Sequence, residues 1–171
     1  MVSVTNGAGT PSGSVVFSIG NQTITSTVLS SGSAIVSIDT SKYAAGTYAV
    51  TAKYEGDIDD TIASASQTMT IARDSTITTL GLASSVVTGS QLVANIAVTK
   101  PNIPGTPTGT VQLLRNGQVV ASATLSGGKA VIKSSTVGVS AGTYSYSAAY
   151  LGDTQNAASS SAGESVTVTT K

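Results

Sequence analysis

The chain has no Cys and no His, and only 9% of its residues are charged, against roughly 25% in ordinary globular domains. Without Cys there is no disulfide framework, no thiolate chemistry and no Cys-based metal site. A cytosolic and a surface location both stay open on that ground. Without His, the commonest general base and the commonest metal ligand are gone together. Net charge is zero, and the six Lys and two Arg are scattered, so no basic stripe exists to neutralise phosphates. That excludes nucleic acid as a partner. No run approaches the ~18 apolar residues of a membrane-spanning helix, so no membrane insertion is expected. The segment after Met1, Val2-Ser3-Val4-Thr5, lacks the charged and apolar regions of a signal peptide.

What is present is Ser and Thr. The 27 Ser and 26 Thr make up nearly a third of the 171 residues. They fill the outward strand positions that charged residues take elsewhere, a composition common in surface and secreted β proteins. The hydrophobic fraction is 40%, enough for packed cores and too high for a disordered tail. The length suits two small domains.

The chain also repeats itself at a shift of 96 residues. Gly9-Thr10-Pro11, with Gly13 and Val15, returns as Gly105-Thr106-Pro107, with Gly109 and Val111. Ala45-Gly46-Thr47-Tyr48 returns as Ala141-Gly142-Thr143-Tyr144. Tyr54, Gly56 and Asp57 return as Tyr150, Gly152 and Asp153. No gap is needed from Asn6/Asn102 to Ser64/Ser160. A period of this size is that of a β-sandwich domain and far exceeds a solenoid repeat.

Alternation with period two dominates, and helical periodicity is nearly absent. Tyr48, Val50, Ala52 and Tyr54 share one face, as do Tyr144, Tyr146, Ala148 and Tyr150 in the second copy. Val15, Phe17 and Ile19 alternate, then Ala34, Val36 and Ile38. Leu92, Ala94, Ile96 and Val98 do the same. The closing strands carry Met69 and Ile71, then Val166 and Val168. This last pair needs a shift of 97, which places one extra residue in the second copy near Gly163. Gly20-Asn21, Ser31-Gly32, Asn116-Gly117, Gly127-Gly128 and Ala141-Gly142 supply turns between these runs, and Asn-Gly and Gly-Gly suit hairpins because both tolerate positive φ. The pattern predicts an all-β protein of two tandem antiparallel β-sandwich domains, 1–73 and 74–171. The first lacks a counterpart of Ser75 to about Asn95, so its first strand and part of its second are missing.

The repeated marks Gly-Thr-Pro-x-Gly-x-Val, Ala-Gly-Thr-Tyr and Tyr-x-Gly-Asp resemble those of bacterial immunoglobulin-like repeat domains. The resemblance covers both copies. It implies Ig-like sandwiches, a location at the cell surface or outside the cell, and a role in adhesins or stalk-like arrays. It brings over no catalytic residue. The residues that carry it are Pro11, Gly13, Gly46, Tyr48, Tyr54, Gly56 and Asp57, with Pro107, Gly109, Gly142, Tyr144, Tyr150, Gly152 and Asp153.

Each candidate site has a plain structural alternative. In Tyr-x-Gly-Asp, the tyrosines Tyr48, Tyr54, Tyr144 and Tyr150 are expected to pack inward, with Gly-Asp forming the turn. The early Tyr of the strand is placed like a tyrosine corner, where a hydroxyl ties down a neighbouring loop. Asp57, Asp59 and Asp60 share a loop and are the candidate calcium ligands. Their counterparts Asp153, Gln155 and Asn156 lose charge. A glycosidase needs paired carboxylates across a cleft, yet the only Glu residues, Glu55 and Glu164, fall in different copies. Ser has no His to activate it. An isopeptide crosslink at Lys53 would need a buried acid, and Lys53 sits at an outward position. Asn21-Gln22-Thr23 is a lone N-glycosylation sequon in a turn. No catalytic residue, cofactor or firm metal site is expected.

An Ig-like sandwich without its first strand exposes unpaired backbone and core side chains. Three explanations stay open: the chain is a fragment, the domain tolerates the loss, or another subunit supplies the strand. The expected function is a non-enzymatic extracellular structural or spacer module of a surface array, adhesin or filament. Its partners would be other Ig-like domains or copies of itself. The alternatives are a virion decoration or tail protein, and an accessory carbohydrate-binding module. The last would need exposed aromatics, whereas the six Tyr and one Phe fall mostly at inward positions.

Overall fold

The computed structural model describes residues 1–5, 9–101 and 103–171. Asn6 and Asn102, where the ungapped match begins, lie outside the described residues. The chain divides into two compact units, Met1–Ala72 and Arg73–Lys171, one residue before the boundary read from the sequence. Each is described by itself.

The first unit holds β1 (Val2–Ser3), β2 (Ser14–Ile19), β3 (Gln22–Val28), β4 (Ser33–Ala34), β5 (Gly46–Tyr54) and β6 (Ala63–Ile71). A short 3-10 turn at Thr40–Lys42 precedes β5, with Asp39 accepting from the Ser41 backbone at 3.1 Å. One four-stranded antiparallel sheet runs β3-β2-β5-β6, and β1 pairs only with β4. The turns follow their residues. Gly20 alone has positive φ in Gly20-Asn21, the pattern of a type II′ hairpin, while Ser31-Gly32 has both residues at positive φ.

The second unit holds β7 (Ile77–Gly81), β8 (Ser85–Val87), β9 (Gln91–Thr99), β10 (Thr110–Arg115), β11 (Gln118–Thr124), β12 (Lys129–Ser135), β13 (Gly142–Tyr150), β14 (Ser159–Ser160) and β15 (Glu164–Thr169). One sheet runs β11-β10-β13-β15-β8, with β14 beside β13, and the other runs β12-β9-β7. All pairs in the second unit's sheets are antiparallel except β15–β8, which is parallel, a departure from the purely antiparallel expectation. The core between the two sheets contains Leu92, Ala94, Ile96, Val111, Leu113, Ile132, Tyr146, Ala148, Tyr150 and Val166. Burial alternates along β9 and β12 as the period-two pattern requires.

The first unit has the β10–β13 half of this architecture and little of the other. Its core shrinks to Val15, Phe17, Leu29, Ala34 and Tyr54. In the second unit Ile132–Ser135 pair with Ala94–Gln91 across the ladder. Val36–Asp39 occupy the matching place, have no such partner, and do not form a strand. A strand needs a neighbour for its N–H and C=O groups, and among the described residues Val36–Asp39 have none.

What remains of the second strand has slipped. Val2 lies opposite Ala34, and Val4 N–H donates to Gly32 C=O at 2.8 Å. In the second unit the same places are held by Ile96 opposite Ala130 and by Val98, which donates to Gly128 C=O at 2.8 Å. Val2-Ser3-Val4-Thr5 therefore corresponds to Ile96-Ala97-Val98-Thr99, a shift of 94 before the loop and 96 after it. A slip of two residues keeps each side chain on its face, so apolar residues still point inward.

The extra residue of the second copy falls between β14 and β15. β5 pairs with β6 without a break, whereas β13 pairs first with Ser159–Ser160 and then with Glu164–Val168, one residue out of step. Ser161 bridges the irregularity: its N–H donates to Ala148 C=O and its Oγ accepts from Ala148 N–H, both at 2.9 Å.

Candidate functional site

The most repeated polar device is a carboxylate clamp after β5 and after β13. Asp57 Oδ2 accepts from Ser12 N–H at 2.9 Å and Ser12 Oγ–H at 2.7 Å, while Oδ1 accepts from the N–H groups of Asp59 and Asp60. Asp153 accepts from Thr108 N–H at 3.0 Å, Thr108 Oγ1–H at 2.6 Å, and the N–H groups of Gln155 and Asn156. The clamp ties the loop before β2 or β10 to the loop after its partner strand. Glycines make room for it. Gly13 and Gly109 have φ of 87° and 88°, and a Cβ there would come within 2.6 Å of Gly56 O or 2.9 Å of Gly152 O.

The two clamps differ in one donor. The Asn156 side-chain amide donates to both oxygens of Asp153, at 2.9 and 2.8 Å. Asp60 holds that place in the first unit and its carboxylate has no N–H to offer. Hydrogen bonds from Ser12 hold the Asp57 carboxyl well below the usual range. At Asp153, burial is the largest influence and opposes the charge. The bonds from Thr108, Asn156 and Gln155 outweigh it and keep the carboxyl low as well.

Asp57, Asp59 and Asp60 do not gather as calcium ligands. No group of three or more acidic side chains converges among the described residues. Asp57 instead spends both oxygens on the loop's own donors.

The tyrosines fall into two kinds. Tyr54, Tyr146 and Tyr150 are buried, as the strand parity requires. Tyr48 and Tyr144 are half-buried rather than buried, and Tyr144 still packs against the second unit's core. Their hydroxyls donate to the carbonyls of Ala44 and Ser140, at 2.7 and 3.0 Å, four residues back. They are tyrosine corners, and their rings lie against Gly46 and Gly142. A corner must reach the strand end, so its ring stays at the rim. Burial pushes the Tyr150 hydroxyl up to about 12, with the Asp153 carboxylate close by adding to it. Pro11 and Pro107 are buried beside the Gly32 and Gly128 hairpins.

The remaining candidates stay apart. Lys53 is exposed and pairs with Glu55 at 3.1 Å across solvent. Asn21 sits exposed in its turn. Glu164 begins β15 in the other unit. Four ties escaped the sequence reading. Lys100, largely buried, pairs with Asp74 at 2.7 Å. Thr76 and Thr78 share the Ser159 hydroxyl. Thr136 donates to Ser90 C=O at 2.8 Å. Ser12 and Thr108 hold the clamps. Only the last carried a signal, a hydroxyl residue at the same place in both copies.

Among the described residues, the first unit carries several concave surfaces. In the first unit, the face of β2, β5 and β6 that a second sheet would cover is a groove of about 550 Å³. Phe17, Val36, Val50 and Met69 line it, and no charged side chain does.

Residues 1–72 and 79–169 each match the family described as Bacterial Ig-like domain (group 3). The chain belongs to that family. Its two bacterial Ig-like domains account for the duplicated clamps and corners. A search of curated proteins returns no match. A solved structure titled "Structures of Clostridium thermocellum CbhA fibronectin(III)-like modules" is similar to 99% of this chain and 83% of that chain, at 18% identity and a TM-score of 0.43. No helix among the described residues is long and apolar enough to cross a membrane.

Proposed function

We propose that this tandem of bacterial Ig-like domains is a non-enzymatic structural module, a spacer in an extracellular array, adhesin or filament. Its partners are other Ig-like domains or copies of itself. The duplicated clamp carries the reading. The polar groups repeated in both units, Asp57/Asp153 with Ser12/Thr108 and Tyr48/Tyr144 with the preceding loop, are spent on fixing loops to strands. No His or Cys supplies a base or a thiolate, and the two Glu residues lie in separate units. Immunogold electron microscopy of the producing organism, with an antibody against residues 73–171, should label the outer surface. Label confined to the cytoplasm overturns the extracellular part, and label on virus particles selects a virion protein instead. Turnover of any substrate that is abolished by Asp153→Ala or Glu164→Gln overturns the non-enzymatic part.

A further inference from the structure

We propose that the second unit bears tension along the chain through a shear seam, which joins the segment entering the unit to the segment leaving it. The inference rests on the structural-module reading and deepens it. A spacer in an array is pulled through its two ends, and this seam is what resists the pull.

The topology carries the argument. Among the described residues the second unit has two parallel contacts, Asp74 beside Asn156 and β8 beside β15. Both join the entering segment, 74–88, to the leaving segment, 156–169. The other strand pairings of the unit are antiparallel. A pull at Arg73 draws the entering segment toward its N-terminus. A pull at Lys171 draws the leaving segment toward its C-terminus. In parallel neighbours these directions oppose each other along one line, so the strands must slide and their bonds share the load. Strands drawn apart from one shared end part bond by bond instead.

The bonds of the seam lie along its length. Asp74 N–H donates to Gln155 C=O, and Ala157 N–H donates to Asp74 C=O, both at 2.8 Å. Thr76 Oγ1–H donates to Ala157 C=O at 2.8 Å, and the Thr76 and Thr78 hydroxyls each lie 2.7 Å from that of Ser159. Further along, Thr167 N–H donates to Ser84 C=O at 2.9 Å and Thr88 N–H to Thr169 C=O at 2.8 Å, flanking the ladder of Ser85–Val87. Val166 and Val168 are buried and Val86 packs on the same core. One side of the seam is therefore closed to water, which elsewhere replaces each bond as it breaks.

A side chain fastens the point where the load enters. Lys100, which follows β9, holds Asp74 Oδ2 at 2.7 Å, and its side chain is only 10% exposed. Gly105 leaves it room, since a Cβ there would come within 3.0 Å of Lys100 Nζ. Sliding Asp74 out of place strands a largely buried ammonium without its partner.

The test is single-molecule force spectroscopy on the whole chain. Pulled from its two ends, the chain gives separate events, and the second unit is recognised by the longer stretch it releases. The second geometry pulls between Lys171 and a handle on Ser90→Cys, an exposed position in a chain with no other thiol. It loads β8 and β15 from one shared end. Forced unfolding reads the barrier, so the end-to-end rupture force of the second unit should exceed that of the peeling geometry at least about twofold. Asp74→Ala should lower the end-to-end force and leave the peeling force unchanged, and Asp74→Asn replaces it if the alanine variant does not fold. Equal forces in the two geometries overturn the proposal. So does an Asp74 variant that lowers both forces alike, as a merely destabilised unit would, or lowers neither. Surface location and turnover do not enter this readout. Its failure leaves the structural-module reading standing, and failure of that reading is seen separately by labelling and assay.

Discussion

Asp153 and the tyrosines show how far single residues are committed to the fold. Asp153 has a lowered carboxyl in the folded state, so it stabilises the second unit above the unfolded carboxyl value of about 4. That contribution is lost as pH falls through the unfolded value toward the folded one. Acid titration of the second unit's melting should show a loss of stability confined below about pH 4. Asp153→Asn should flatten it, and an unchanged acid limb would show that the clamp is not the cause. Tyr150 and Tyr146 separate packing from hydrogen bonding. Both are 1% exposed, and both hydroxyls are buried without a hydrogen-bond partner among the described residues. Tyr150→Ala should cost about 3–5 kcal/mol, as for other buried aromatics. Tyr146→Phe keeps the ring and removes an unpaired polar group, so it should change stability by less than about 1 kcal/mol, or raise it. A larger loss on denaturant titration would mean that the hydroxyl has a partner.

At the level of the strand, one sequence pattern has two fates. Ala34, Val36 and Ile38 alternate as Ala130, Ile132 and Ser134 do, yet only the second set lies in a full strand. The difference is the neighbour. Hydrogen exchange on the whole chain should therefore split the copies: amides of Val131–Ser135 protected, and those of Val36–Asp39 exchanging at least a hundredfold faster, since local opening there breaks no ladder. Equal protection would mean that Val36–Asp39 pair with something. β6 and β15 make the same point. β6 is nearly all exposed over nine residues, while β15 buries Val166 and Val168 under the second sheet.

For the whole molecule, the two units should melt apart. Among the described residues, the first unit's core cluster holds five buried hydrophobic residues and the second's holds thirteen. Hydrophobic stabilisation scales with the apolar area removed from water, so the first unit carries much less of it. Calorimetry of the full chain should show two transitions, with the lower one belonging to residues 1–72. Tyr150→Ala should move only the upper one. A single transition that moves as a whole with Tyr150→Ala would remove the argument that the first unit is the weaker body.

The fold class, the duplication, the hairpin turns and most inward faces were legible in the chain, because alternation and turn chemistry are local properties of a few adjacent residues. Gly13 and Gly56 were visible as repeated marks, though not their closeness to one another. The tertiary structure decided what depends on partners distant in sequence. It slid Val2–Thr5 by two residues, a move that leaves the alternation unchanged and so leaves no trace in it. It turned Asp57 from a candidate ligand into a clamp, since only folding brings Ser12 to its carboxylate. It kept Tyr48 and Tyr144 at the rim, where their hydroxyls reach a carbonyl. It also denied Val36–Asp39 a strand, because a β segment is made by its neighbour as much as by its own residues.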